Sequence, residues 1–290
     1  MDDAPQMPPT GTGENAADMG EMLVRMGIIS SDQAKEIDAA QGDGGKSYAE
    51  VAVALGLISS QDLSQLIAAR RAQAGVLDHS LFHRDIVVAH QPRSQQAEDF
   101  RALRNALSLR WFKHPEGARS LAIISANRHE GRSVCAANLA VSFAQIGLRT
   151  LLVDADMRSP RQHELFGVNG SLGLASYLKG AGATADYPNI GDPESLSVLP
   201  VGDAPPDPQE LLLGAPLHDL IAAAQKNCDV ILFDTPAASE SSDYQTIAAA
   251  CGGALVITRA GESRVRPTAR LINDCEDLGI KVVGATMLSD

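Results

Sequence analysis

Five short apolar runs, at 121–125, 150–154, 229–233, 254–258 and 281–286, alternate with helical patterns at 132–146, 208–226, 242–250 and 265–278. No other feature of the chain constrains its fold as tightly. The runs are continuously apolar rather than alternating, so each strand is expected to be covered on both faces. Strands of this kind, joined by crossover helices, make a mostly parallel α/β sheet with helices on both sides. Ligands of such sheets sit beyond the carboxyl ends of the strands. Two runs lead into acids at that end: Leu151-Leu152-Val153-Asp154-Ala155-Asp156-Met157-Arg158 and Val230-Ile231-Leu232-Phe233-Asp234-Thr235-Pro236.

A third strand end carries a loop suited to phosphate. Between the run at 121–124 and the next helical pattern stand Ala126-Asn127-Arg128-His129-Glu130-Gly131-Arg132-Ser133, followed by Val134. A phosphate loop works by aiming backbone N–H groups and a helix N-terminus at the anion. Its usual GxxxxGK[ST] pattern adds a lysine for the β- and γ-phosphates and a hydroxyl for magnesium. Here Gly131 and Ser133 are in place, Ala126 stands at the first glycine and Arg132 at the lysine. Arginine keeps the charge but is longer, planar and forked. Asp154 and Asp156, on a strand and its exit, can both serve the phosphate end. With Asp234 and Ser133 they match a magnesium ion held by few protein ligands, phosphate and water. One aspartate could also accept a proton from an attacking hydroxyl. The fold class is therefore a P-loop NTPase.

The 290 residues suffice for one large α/β domain with a small appendage. A net charge of −12 argues against nucleic acid as a partner. No stretch approaches a membrane span, and the polar, acidic start lacks the regions of a signal peptide, so a cytoplasmic protein is expected. The cysteines, Cys135, Cys228, Cys251 and Cys275, show neither CxxC pairing nor metal spacing and read as buried thiols. Thirteen acids against six bases fall in the first 90 residues, which points to a separate acidic module.

Residues 1–17 read as a disordered tail. An internal repeat follows: Gly27-Ile28-Ile29-Ser30-Ser31-Asp32-Gln33-Ala34 matches Gly56-Leu57-Ile58-Ser59-Ser60-Gln61-Asp62-Leu63. Each copy has a helix, a Gly turn and a Ser cap, Ser31 or Ser60, before a second helix. This defines a tandem all-α module at 18–71, a polar linker at 72–95, and a domain at 96–290 that opens with a helix to about Phe112.

The domain resembles the bacterial tyrosine kinase (BY-kinase) family, and within it the EpsG-type chain-length-determinant kinases of exopolysaccharide biosynthesis. The family's altered Walker A motif matches residues 126–133, its Walker A′ 151–158 and its Walker B 230–236. Its Glu-x-x-Arg-x-x-Arg helix is present as Glu98, Arg101 and Arg104, and its Pro-Pro-x-Pro-x-Glu-Leu-Leu segment as Pro205-Pro206-Asp207-Pro208-Gln209-Glu210-Leu211-Leu212. The resemblance implies binding of ATP and Mg2+, with Arg132 on the phosphates, Ser133 and Asp156 at the metal, and Asp154 holding metal-bound water or acting as base. Asp234 would act through the metal shell, and Arg158 belongs to the same nucleotide-binding set. It further implies a ring of subunits docked through Glu98, Arg101 and Arg104, and a transmembrane polysaccharide co-polymerase as adaptor at the inner face of the plasma membrane.

Three departures stand against that pattern: Arg132 in place of lysine, no tyrosine after Tyr244 (the others are Tyr48, Tyr177 and Tyr187), and Ser289-Asp290 where the family carries an asparagine near the nucleotide. A phosphorylated tail is thus unsupported, while transfer to another protein stays open. A non-phosphorylating assembly switch of MinD/ParA type is the alternative. Its additional lysine would stand at Asn127. The front repeat resembles the N-terminal modules of type II secretion ATPases, some of which bind cyclic-di-GMP. The Arg-Leu-Gly triplets of those binders are here Asp18-Met19-Gly20 and Ser47-Tyr48-Ala49, which favours protein docking over cyclic-di-GMP.

Overall fold

The computed structural model describes residues 24, 29–41, 51–52, 55–57, 82–113, 118–168, 173–180 and 195–289, with side chains of the first helix described to 37. The chain divides into two compact units, Met1–Ala72 and Gln73–Asp290. In the first lies helix α1 (Ser31–Gln41). The Ser30 N–H donates to Gln33 Oε1 at 2.7 Å and the Gln33 N–H to Ser30 Oγ at 3.3 Å. This reciprocal pair is a capping box, which places the cap at Ser30 rather than at the expected Ser31. Ile29 and Ile37 are buried beneath it. The tail, the second cap Ser60 and most of the tandem module lie outside the described residues, as do Tyr48 and Tyr187.

The second unit begins with α2 (Val87–His90) and α3 (Gln95–Leu107), the latter capped by the Ser94 hydroxyl on the Ala97 N–H. A π-helical turn (Ser108–Phe112) carries Trp111 into the core. Six strands follow: β1 (Ser120–Ser125), β2 (Thr150–Asp154), β3 (Leu196–Leu199), β4 (Val230–Asp234), β5 (Gly253–Arg259) and β6 (Lys281–Leu288). Between and after them run α4 (Arg132–Ala144), α5 (Gln162–Phe166), α6 (Leu174–Leu178), α7 (Pro208–Leu212), α8 (Ala215–Asn227), α9 (Asp243–Cys251) and α10 (Val265–Asp277). The sheet order is β3-β2-β4-β1-β5-β6, and every pairing is parallel. Edge strand β3 was not anticipated: four residues are too short for a periodicity signal. The helix expected at 208–226 is two, because Gly214 is extended and Pro216 starts a new helix.

Both faces of the sheet are buried from β3 to β5, whereas the edge strand β6, expected to be covered like the others, is half-buried to exposed along its length. Leu121 and Ile123 of β1 face a core shared with Phe100, Leu107, Trp111 and Phe143. Ala122 and Ile124 face the opposite core, with Leu217, Leu220, Ile247 and Leu271. This alternation of a wholly apolar strand between two cores is why its sequence shows no polar face. The chain leaves β1 through α4 over the first core and leaves the adjacent β4 toward α9 over the second. Their divergence opens a crevice at the carboxyl ends of these strands. The four cysteines are free and buried. Among the described residues no helix is long and apolar enough to cross a membrane.

Candidate functional site

The loop between β1 and α4 is shaped by two left-handed residues, His129 (φ 64°) and Gly131 (φ 88°). At Gly131 a Cβ would also come within 2.6 Å of Leu288 Cδ1, the movable end of a half-buried side chain, so it is chiefly the backbone that calls for glycine. Glu130 is buried and staples the loop from inside. Its carboxylate accepts from the Asn127 N–H at 2.8 Å, the Asn127 side-chain amide at 3.2 Å and the Ser263 hydroxyl at 2.6 Å. Its oxygens are thus used within the fold, where Glu130 shapes the loop. The N-terminus of α4 opens onto the cleft above the loop, an electrostatically positive end suited to an anion.

Beneath the loop, three carboxylates meet one guanidinium. Arg132 is nearly buried and donates to the Thr235 carbonyl and to Ser125 Oγ, both at 2.6 Å, while its third nitrogen lies 3.4 Å from Asp156 Oδ2. The side chain expected on the phosphates is therefore anchored in the floor of the site. Asp156 accepts from the N–H groups of Arg158 and Ser159 at 3.2 and 2.9 Å, which curls the exit of β2 around it. Asp154 and Asp234 are register partners on neighbouring strands, and both are fully buried. Asp154 accepts from the N–H groups of Asp156, Arg161 and Gln162 at 3.2, 3.0 and 2.9 Å, so it caps α5 from below. Burial, and then the charge of Asp234, holds its carboxyl well above the usual range. Asp234 rises to about 6: burial raises it, and Arg132 together with hydrogen bonds from Gln162 and Ser133 pulls it part of the way back.

A cleft of about 250 Å³ opens over this floor, and its walls include Arg128, Arg132, Ser133, Val134, Asp156 and Arg259. Of the carboxylates expected at the chemistry, Asp156 reaches the wall, whereas Asp154 and Asp234 lie under it. Arg128 straps the rim, donating to Ser159 Oγ at 2.8 Å and pairing with Glu240 at 2.9 Å. Arg158 turns away to the buried Asp243, 3.0 Å from its Nε, and so braces the β2 exit against α9. Ala126 is buried at the end of β1, and its carbonyl accepts from the Ser239 N–H at 3.0 Å. A second groove of about 310 Å³ shares Asp85, Gly131, Val134 and Arg259 with the cleft and continues between α3 and the end of β6.

On α3, the exposed Glu98 pairs with the half-buried Arg101 at 2.7 Å, and Arg101 also donates to the Pro92 carbonyl at 2.9 Å. Arg104, expected with them on a docking face, is instead interior: it is 8% exposed and donates to the Ser142 carbonyl at 3.0 Å. Arg104 falls on the α3 face packed against α4, where its guanidinium satisfies a carbonyl near the end of that helix.

Sequence reasoning missed Gln162. It is wholly buried, and its side-chain amide donates to Asp234 Oδ2 at 2.8 Å and to the Ser133 carbonyl at 3.1 Å. The only available signal was Ser159-Pro160 as a helix start just after the acidic strand end.

Among the described residues no three His, Cys, Asp or Glu side chains form a preassembled metal cage. Magnesium takes one or two carboxylates and completes its shell with phosphate and water. The buried Asp234 Oδ1, without a hydrogen-bond partner among the described residues, is a donor atom of the right chemistry, beside the Ser133 hydroxyl. These residues fit the ion.

No family model matches the chain. Tyrosine-protein kinase YwqD of Bacillus subtilis is 30% identical over 208 residues, 72% of this chain and 87% of that protein. The kinase domain of Escherichia coli tyrosine kinase ETK superposes with a TM-score of 0.66 at 26% identity, covering 70% of this chain and 79% of that one. The septum site-determining protein MinD of Pyrococcus horikoshii OT3, solved with Mg-ADP, shares the fold at 22% identity, with a TM-score of 0.50 over 58% of this chain and 68% of that one.

Proposed function

The chain belongs to the bacterial tyrosine-protein kinase family, and from that premise we propose that it binds Mg-ATP in the cleft above residues 126–134 and transfers the γ-phosphoryl group to a protein tyrosine. The carrying observation is the meeting of the loop, Asp156 and the Ser133–Asp234 pair at the carboxyl ends of adjacent parallel strands. The loop N–H groups and the α4 N-terminus hold the phosphates. Ser133, Asp156 and Asp234 would hold magnesium, which neutralises charge on the transferred group. Asp156 is the carboxylate on the cleft wall and the candidate to accept the tyrosine proton. Asp154, saturated by three backbone donors, keeps the floor in register. The groove shared with the cleft gives the nucleoside a place to lie.

The family reading extends to a biological setting. The protein regulates exopolysaccharide chain length or export at the cytoplasmic face of the membrane, through a transmembrane co-polymerase adaptor. Subunits associate through the face of α3 that carries Glu98 and Arg101, and the module at 18–71 docks a protein partner. One observation favours a second reading, a nucleotide-driven assembly switch without phosphotransfer. The Arg132 guanidinium is committed to Thr235, Ser125 and Asp156, so phosphate contact requires it to give up those bonds.

Transfer of labelled phosphate from Mg-ATP to tyrosine, with and without the adaptor's cytoplasmic segment, tests these readings. Phosphotyrosine made by the wild type and lost in Asp156→Ala supports the kinase. Silence of the wild type with gain in Arg132→Lys supports the switch, and silence of both removes the kinase reading.

A further inference from the structure

The side chain of Gln162 touches both the phosphate loop and the buried carboxylate of β4, and its backbone N–H touches the carboxylate of β2. Its Nε2 donates to the Ser133 carbonyl and to Asp234 Oδ2, and its N–H donates to Asp154 Oδ2. This fixes the amide orientation. A flip would set Gln162 Oε1 against a carbonyl and a carboxylate oxygen, two acceptors with no proton between them. In the orientation so fixed, Gln162 Oε1 and Asp234 Oδ1 are both buried and without a hydrogen-bond partner among the described residues. Two adjoining groups thus each keep one acceptor in reserve, where buried polar atoms are normally satisfied.

We infer that Gln162 is a positioning residue for the metal. It clamps one oxygen of Asp234 so that the other, with its own Oε1, stays available to a cation or to water bound to it. The inference rests on the Mg-ATP reading above. Gln162 takes no part in the transfer. It sets how readily the site accepts magnesium, because a carboxylate released from Nε2 could rotate toward Arg132 and neutralise itself internally. Without the clamp, magnesium must compete with that rearrangement, while the loop, stapled independently by Glu130, still holds the phosphates.

The test is binding of a fluorescent ATP analogue to the full chain as magnesium is titrated, with unfolding in EDTA followed in parallel. Gln162→Leu is expected to raise the half-saturating magnesium concentration about tenfold and to recover near wild-type nucleotide binding at saturating magnesium. Its melting temperature in EDTA should fall modestly, because Asp234 Oδ2 and the Ser133 carbonyl each lose a donor. An unchanged magnesium midpoint, whether or not the variant is less stable, would show that Gln162 merely packs the floor. Gln162→Met serves by the same criteria should the leucine variant not fold. A wild type whose nucleotide binding ignores magnesium sinks both this inference and the Mg-ATP reading. Wild-type dependence with an unshifted variant midpoint sinks the inference alone.

Discussion

Replacing Asp234 with asparagine should stabilise the metal-free protein while abolishing its response to magnesium. Asp234 is fully buried beside Asp154 and Asp156, and burial lifts its carboxyl to about 6 despite Arg132 and two hydrogen bonds. Against the ordinary value of 3.8, keeping it ionised in the fold at neutral pH costs on the order of 3 kcal/mol. Asparagine removes that cost and can still accept from Gln162, though a neutral oxygen accepts more weakly than a carboxylate. A net gain of about 1–2 kcal/mol, or roughly 2–8 °C in melting temperature for a domain of this size, is expected. The pH dependence supplies the sign. The folded state keeps the Asp234 proton up to about pH 6, whereas the unfolded chain releases it near pH 4. Wild-type stability from this group is therefore fully present below about pH 4 and is lost as pH rises through about 6. The variant lacks that slope, so its advantage should grow between about pH 4 and 6 and then level off. Scanning calorimetry in EDTA across that range reads it directly. A variant less stable than wild type at pH 7.5, or an advantage that does not grow with pH, would refute the account of a strained buried carboxylate. Saturating Mg-ATP should reverse the order: at a ligand concentration 100 times Kd the wild type gains about 2.7 kcal/mol that the variant forgoes.

Two further outcomes follow from the loop and from α3. Gly131→Ala should cost about 1–2 kcal/mol through its left-handed backbone alone, and it should weaken nucleotide binding. Adding Leu288→Ala relieves the contact with the new methyl but not the backbone, so isothermal titration should show only partial recovery. Full recovery would mean that the backbone conformation is not what glycine supplies. Glu98→Ala removes one end of a pair at the surface and should change the stability of the monomer by less than about 1 kcal/mol, whereas Arg101→Ala also loses the bond to the Pro92 carbonyl and should cost about 1 kcal/mol more. They should nevertheless shift sedimentation toward smaller species. A wild type that sediments as a monomer at all concentrations with Mg-ATP would end the proposal that this face joins subunits.

The sequence alone determined the layered α/β architecture, because a strand buried between two cores must be apolar at every position, as residues 121–124 and 151–153 are. It also determined the location of the site, because glycine, serine and aspartate at strand ends mark where a parallel sheet leaves polar groups uncovered. Which side chain does what was decided elsewhere. Arg104 shares the spacing of Glu98 and Arg101 yet is buried, since the helix face it occupies is settled by what packs on α3. Asp154 and Asp156 look equivalent as a DxD pair, but one caps α5 underneath the floor and the other reaches the cleft wall. The bonds that fix these roles span the chain: Gln162 to Asp234 across 72 residues, Arg132 to Thr235 across 103, and Ser263 to Glu130 across 133. Periodicity records whether a residue is buried. It cannot record which distant polar group a buried side chain meets, because that partner is brought within hydrogen-bonding distance only when the sheet assembles.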